Sequence, residues 1–364
     1  MSQSVNGLKQ SELESLRTGS LKNRRFLLKS RPEARIDANT FEMVSEPIAE
    51  LTEGQALIRT ELLSLDPTNR IWVADVDQYM PPVQIGEVMR GLGLGRIVAS
   101  KNPSLPVGRL VSGPVSWQDY NVADGTESWP FALVPDNVPV SVEDLAGAAG
   151  MTGLTAYFGV FEVAKAEAGQ TMVVSAAAGA VGSIAGQLGK IAGCRVVGIA
   201  GSEAKCKWLT TDLGFDAAVN YKAPDWKQQL IDATPDGIDV NFENVGGEIM
   251  QFVFSRLNLR ARVALCGMIS SYNDPDDLKT KVSLTSVLMK RVRVEGFIIT
   301  DFMNRFPEGS AKLIEWIAQG KIKTTSTIVE GLENAPEAVN QLFDGSNTGK
   351  LLVRVYPSPD TPTP

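Results

Sequence analysis

The chain has no histidine in its 364 residues. That absence removes histidine-based nucleophilic triads, imidazole general acids and nearly every catalytic zinc site. Cysteine is scarce: Cys194, Cys206 and Cys266 are scattered and odd in number. Such a set makes neither a disulfide framework nor a structural zinc cluster, and it points to a reducing compartment, the cytoplasm. No apolar run reaches the length of a membrane span. The first 25 residues lack the apolar core of a signal peptide, and Glu12 and Glu14 are unlike a transit peptide. A net charge of −7 argues against a nucleic acid or an anionic membrane as partner. With no imidazole and no cysteine cluster to draw on, any chemistry must be carried mainly by a cofactor.

The hydrophobic share of 43% and charged share of 21% describe a globular protein with a large core, and the length suggests two domains. Short β-like runs broken by Pro and Gly fill the first third: 25–28, 56–60, 95–99 and 109–112. This punctuation predicts a small barrel or irregular β domain. From Gly169 the pattern changes to apolar strands alternating with helices. Strands are expected at 171–174, 195–200, 217–220, 238–244, 262–267, 292–299 and 351–356. Helical spacing is clear at Val181, Ile184, Ala185, Leu188 and Ile191. Such alternation implies a parallel sheet with helices on both faces. The expected division is a flexible leader at 1–24, a β-rich substrate domain at 25–150 and a nucleotide-binding domain at 151–300. A return segment at 301–356 then completes the substrate domain, and a Pro-rich disordered tail follows at 357–364. A crevice between two such domains would hold substrate.

The most informative run is Ser175-Ala176-Ala177-Ala178-Gly179-Ala180-Val181-Gly182-Ser183. It follows a strand and opens a helix, with small residues at Ala176, Gly179 and Gly182. This is a dinucleotide-binding turn in its A-x-x-G-x-x-G form: the backbone can approach a pyrophosphate, and the helix start offers unpaired N–H groups. About 20 residues on, an acid would bind a ribose 2′-hydroxyl, whereas a cation would suit a 2′-phosphate. Gly201 and Ser202 occupy that spot. Glu203, one residue further, argues for NAD. Lys205 and Tyr221, at the end of the third strand, could reach a 2′-phosphate and so argue for NADPH.

Several segments together resemble the zinc-independent medium-chain dehydrogenase/reductases, in the branch of NADPH-dependent alkenal double-bond reductases. They are Ser64-Leu65-Asp66-Pro67, the run from Tyr79 to Gly86, Trp117-Gln118-Asp119-Tyr120, Met151 to Tyr157, and the Ala176–Gly182 turn. Phe242 to Gly247, Cys266 to Asn273 and Gly345 to Lys350 complete the set over about residues 24–356. The resemblance implies a Rossmann-type doubly wound sheet with an N-terminal GroES-like β-barrel, a small-molecule enone as substrate, and a homodimer. It implies reduction of the C=C bond of an α,β-unsaturated ketone or aldehyde by hydride transfer to the β-carbon. One departure is notable. Relatives often carry Tyr-Met-Arg-Gly after the Asp-Pro pair, with a role for that Tyr at the substrate, and this chain has Thr68-Asn69-Arg70-Ile71. A quinone reductase of the same superfamily and a non-catalytic NADPH-binding sensor are the alternative readings.

For the cofactor, the expected contacts are Gly179, Ala180, Val181, Gly182, Lys205, Tyr221 and Asn244. The run Cys266-Gly267-Met268-Ile269-Ser270-Ser271-Tyr272 joins them, as does Asn347. By the resemblance, backbone groups of Phe297-Ile298-Ile299 hold the nicotinamide carboxamide, although that run reads on its own as a core strand. Tyr272 and Tyr79 are the candidate catalytic hydroxyls. Tyr272 could instead bind a cofactor ribose hydroxyl, the role the resemblance favours. Cys266 reads as a small core residue and not as a nucleophile, having no histidine to activate it. No metal is expected.

Overall fold

A computed structural model describes residues 8–126, 129–273 and 280–356. The chain forms two compact units. In the first, β1 (Lys22–Leu28) and β2 (Phe41–Pro47) make an antiparallel ribbon in register from Lys22/Pro47 to Leu28/Phe41. A long strand, β3 (Ala56–Leu65), lies at the centre of the main sheet. It pairs antiparallel with β4 (Leu92–Ser100) and with β6 (Tyr120–Ala123). The sheet continues from β4 through β5 (Leu110–Gly113) to β7 (Ala132–Leu133). Only Arg59 of β3 escapes burial, so this strand shows no polar alternation.

The leader expected at 1–24 is corrected over its described part. Residues Gln10–Arg17 form helix α1, whose first turn is closed by Lys9 N–H donating to Glu12 Oε2 at 2.7 Å. Leu8 and Leu16 are buried with Ile48, Leu51, Leu57, Val98 and Tyr120. Leu13 and Leu21 pack against the same cluster and complete the docking of the helix. A second short helix, α2 (Thr68–Trp72), follows β3.

The second unit opens with α3 (Val142–Ala146), capped by Ser141, and α4 (Met151–Phe158). Strands and helices then alternate: β8 (Thr171–Val174), α5 (Ala180–Ile191), β9 (Arg195–Ala200), α6 (Glu203–Thr211) and β10 (Ala217–Asn220). Next come α7 (Trp226–Ala233), β11 (Ile238–Glu243), α8 (Gly247–Arg256), β12 (Leu257–Leu265), α9 (Leu284–Lys290) and β13 (Arg293–Gly296). All six strands are parallel, in the order β10-β9-β8-β11-β12-β13. One apolar layer gathers Leu154, Phe158, Ile184, Leu188 and Phe215, and another Trp226, Leu230, Ile249, Val253 and Phe254. Every residue of β8 is buried, the mark of a sheet covered on both faces. Strand order reverses between β8 and β11. The carboxyl ends flanking that point are where such sheets bind ligands.

The division also differs from the sequence expectation. The first unit ends at Val138, not at 150, because α3 and the turns Gly153 N–H to Gly147 O and Leu154 N–H to Gly150 O lead directly into α4. Residues 301–327 stay with the second unit. Helix α10 (Phe306–Ala318) buries Leu313 in the core that holds Leu154 and Phe158. Only Ile328–Leu342 and the segment from Leu351 return to the first unit. There β14 (Ser326–Glu330) and β15 (Lys350–Arg354) extend its sheet, β15 lying against β3. The strand expected at 292–299 stops at Gly296, and a 3₁₀ turn takes over from Ile299. The tail expected at 357–364 lies outside the described residues.

Candidate functional site

The turn after β8 is shaped by three small residues. Ala176 takes φ +47°, a left-handed conformation that is uncommon for a residue with a Cβ. Gly179 is the N-cap of α5. A Cβ on Gly182 would collide with the Ala176 carbonyl and with Ala177. The first turn of the helix therefore sits directly on the turn before it. Ala180 and Val181, both half-buried, begin the helix, where N–H groups have no intrahelical acceptor.

Beneath this turn lies a buried carboxylate. Glu243, at the end of β11, is fully enclosed. Its Oε1 accepts from Ser175 Oγ at 2.9 Å, Val245 N–H at 2.8 Å and Gly246 N–H at 2.9 Å, and its Oε2 from Asn241 Nδ2 at 3.0 Å. Asn244 closes the ring by donating N–H to Ser175 Oγ at 2.8 Å and Nδ2 to Ser175 O at 2.7 Å. A buried charge is tolerated when it is saturated with donors in this way. The network ties the β8 and β11 turns together on the two sides of the switch point.

The expected loop after β12 folds onto the same place. Cys266 and Gly267 donate N–H to Glu243 O at 2.9 and 3.1 Å. Ile269 N–H reaches Asn244 O and Ser270 N–H reaches Val245 O, each at 3.1 Å, and Ser270 Oγ adds a bond to Val245 O at 2.6 Å. Ser271 Oγ donates to Met268 O at 2.8 Å. Tyr272 Oη accepts the Met268 N–H at 3.0 Å, so this phenol is built into the loop. Burial, with Glu243 beside it, pushes the Cys266 thiol up to about 12, which keeps it protonated and inert at neutral pH.

A third loop, 343–350, completes the cradle. Gly349 N–H donates to Ala178 O at 3.0 Å, and buried Asn347 turns its amide to Gly349 O at 3.2 Å. Lys205 reaches Gly345 O at 2.8 Å. Its ammonium is held below the ordinary lysine range, first by burial and then by Lys222. Lys222 in turn lies 5.9 Å from the Tyr221 ring. Two cations and a phenol thus meet at the ends of β9 and β10, a fit for a phosphate. Glu203, the argument for NAD, is turned aside: its Oε1 accepts Asn220 Nδ2 at 2.8 Å. Phe297 is buried beyond β13, 6.4 Å from the Phe242 ring, and Ile298 N–H points to Asp301 Oδ2 at 3.4 Å.

Comparison with known proteins agrees with this geometry. Residues 24–131 match the N-terminal domain of oxidoreductase family, and residues 180–318 match the zinc-binding dehydrogenase family. The chain is 40% identical to the NADPH-dependent curcumin reductase of Escherichia coli over 92% of its length and 97% of that protein. It is 39% identical to prostaglandin reductase 1 of Oryctolagus cuniculus, over 85% and 87%. The chain belongs to the medium-chain dehydrogenase/reductases, in the alkenal reductase branch. The crystal structure of CurA in complex with NADPH from Vibrio vulnificus superposes on this member with a TM-score of 0.86, at 40% identity, over 92% of this chain and 99% of that one. The first unit is accordingly the GroES-like domain of these reductases and the second their Rossmann domain.

The remaining expected residue of this reductase, Tyr79, belongs to the GroES-like unit. Its hydroxyl lies 2.5 Å from Thr68 Oγ1 and accepts Trp72 Nε1–H at 2.8 Å. Burial of that hydroxyl raises it above the ordinary phenol range. Among the described residues no group of three or more Cys, Asp or Glu is placed to hold a metal ion. Sequence reading missed Ser175, Asn220, Lys222 and Glu243 as site residues. The signal for Glu243 was a lone acid at the end of an apolar strand, which reads as a strand terminator until its donors are seen.

Proposed function

We propose that this chain reduces the C=C bond of α,β-unsaturated ketones or aldehydes with NADPH. The observation that carries the reading is the cradle joining the Ala176–Gly182 turn to Lys205, Tyr221 and Lys222, in a chain 40% identical to a curcumin reductase. When bound, NADPH supplies a hydride from the nicotinamide C4 to the enone β-carbon. The backbone of Gly179, Ala180, Val181 and Gly182 holds the pyrophosphate, and Lys205 with Tyr221 the 2′-phosphate. Asn244, Asn347 and the 266–272 loop hold the nicotinamide half, with the backbone of Phe297, Ile298 and Ile299 at its carboxamide. Tyr272 and Tyr79 are the hydroxyls for the reaction. One stabilises negative charge on the carbonyl oxygen and one gives a proton to the α-carbon.

Reduction at the β-carbon needs only such modest donors. Direct carbonyl reduction would place a full alkoxide on the oxygen and call for a stronger acid or a Lewis acid. The reading includes a cytoplasmic homodimer. In support, α9 exposes Leu284, Leu288 and Met289 at 74%, 68% and 64%, beside the open edge of β13. The test is the product formed with C4-deuterated NADPH and an enone. The expected product is the saturated ketone with deuterium on the β-carbon. An allylic alcohol labelled at the carbinol carbon, or turnover of quinones alone, overturns the proposal.

A further inference from the structure

The loop after α2 is folded so that one phenol meets two hydrogen-bonding groups one helical turn apart. Thr68 and Trp72 stand at i and i+4 on α2, a spacing that places both side chains on the same face. The following loop is pulled back onto that helix. Gln78 Nε2 donates to Ile71 O at 3.1 Å and Ala74 O at 3.2 Å, and Val83 N–H donates to Trp72 O at 2.8 Å. Arg90 holds the outside of the arrangement. Its guanidinium lies over the Trp72 ring, 5.7 Å from the centroid, and donates to Pro81 O at 3.0 Å. Trp72 is buried, Thr68 half-buried, and Tyr79 45% exposed.

The hydrogens can be counted. An indole N–H only donates, so one lone pair of the Tyr79 oxygen is committed to Trp72. The Thr68 hydroxyl both donates and accepts. When it donates to Tyr79, both lone pairs of the phenol are filled, and its hydrogen is left to point away from α2. Two donors on one phenol oxygen also stabilise the negative charge that grows there as the proton leaves. These two bonds oppose the burial that raises the phenol.

We infer that Thr68, Tyr79 and Trp72 form a proton relay for the enolate: Tyr79 donates, Thr68 replenishes, and Trp72 is the positioning residue. The inference rests on the enone-reductase reading above and names how its α-carbon is protonated. Once the β-carbon has been reduced, the Tyr79 O–H bond breaks and a C–H bond forms at the α-carbon, with the O–H electron pair remaining on the phenol oxygen. The Thr68 hydroxyl proton moves to Tyr79 as a water molecule protonates Thr68 Oγ1. The net change is one proton taken from solvent, and all three side chains end as they began.

The test uses the full-length protein with NADPH and methyl vinyl ketone. Tyr79→Phe and Thr68→Val each remove a single hydrogen-bonding group with little change in shape, and Trp72→Phe removes the indole N–H together with part of a buried ring. Thr68→Val and Trp72→Phe are expected to lower kcat about 10- to 100-fold, the range for one hydrogen bond to a developing charge. KM and NADPH affinity should hold. Thr68→Ser should recover most of the rate. In mixtures of light and heavy water the parent should show a curved proton inventory from two protons in flight, and Thr68→Val a linear one. An unchanged kcat and unchanged inventory in Thr68→Val, in an assay where the parent reduces the enone, overturn the relay and leave the enone-reductase reading standing. A parent that binds NADPH but does not reduce enones overturns both.

Discussion

Replacing Glu243 by leucine should expose how much of the cofactor site depends on one buried carboxylate. The change strands four donors: Ser175 Oγ, Asn241 Nδ2, and the N–H groups of Val245 and Gly246. The serine hydroxyl and the asparagine amide can rotate, but the two backbone groups cannot. Each buried orphan costs about 1–3 kcal/mol, so the expected loss is about 2–6 kcal/mol. For a unit of this size, 1 kcal/mol moves Tm by about 2–4 °C, which makes the shift about 4–24 °C. Glu243→Gln should cost far less. Its oxygen can keep the three donors now on Oε1, and its new NH₂ faces Asn241, whose Oδ1 has no partner among the described residues and can be turned to meet it. Thermal denaturation with and without saturating NADPH reads both effects, since Ser175 and Asn244 belong to the cradle. A leucine variant as stable as the parent, or a glutamine variant as damaged as the leucine one, would refute the reasoning.

Two further outcomes follow from the cofactor end and from the absent imidazoles. Lys205→Ala should weaken NADPH by about 1–3 kcal/mol, the scale of a lost charged hydrogen bond, and leave NADH binding nearly unchanged in a calorimetric titration; equal losses would refute the phosphate role. Reductase activity should survive prolonged treatment with a chelator, and elemental analysis should find no stoichiometric zinc; one tightly held zinc per chain would overturn metal independence.

The Rossmann unit was the most legible part of the chain because its strands are buried on both faces. Val196 to Ala200 is one continuous buried run, and the expected bounds 195–200 and 217–220 coincide with β9 and β10. Strand β12 begins at Leu257, not at Arg262, because Arg260, at φ +62°, interrupts the apolar pattern with a charge and an irregular backbone. Strand β2, Phe41–Pro47, carries its charges on exposed positions of an edge ribbon and left no periodic trace. Helix α1 was read as leader for the same reason: its polar face dominates the composition and Leu16 alone is buried within it. Within the site, the glycine turn could be read from local spacing. Glu243 could not, because its partner Ser175 lies just after β8, far away in the sequence, and meets it only in the folded sheet. The Thr68–Tyr79 pair lies between these cases, since the rest of α2 and a loop separate two hydroxyls that the helix and Gln78 bring together.

The place of β15 has a consequence for biosynthesis. Strand β3 is complete at residue 65, yet its partner at Leu62 to Leu65 is Leu351 to Arg354. During synthesis from the N-terminus, nearly the whole chain leaves the ribosome before that partner exists. All six strands of the parallel sheet, ending at Gly296, emerge first. The nascent GroES-like unit must wait with a hydrophobic strand edge unpaired, the kind of surface on which chaperones act and aggregates begin. Truncations that stop before residue 350 should therefore reach the cell as insoluble product even with every proposed cofactor contact through Phe297 present, and slowed translation should lengthen the interval of risk.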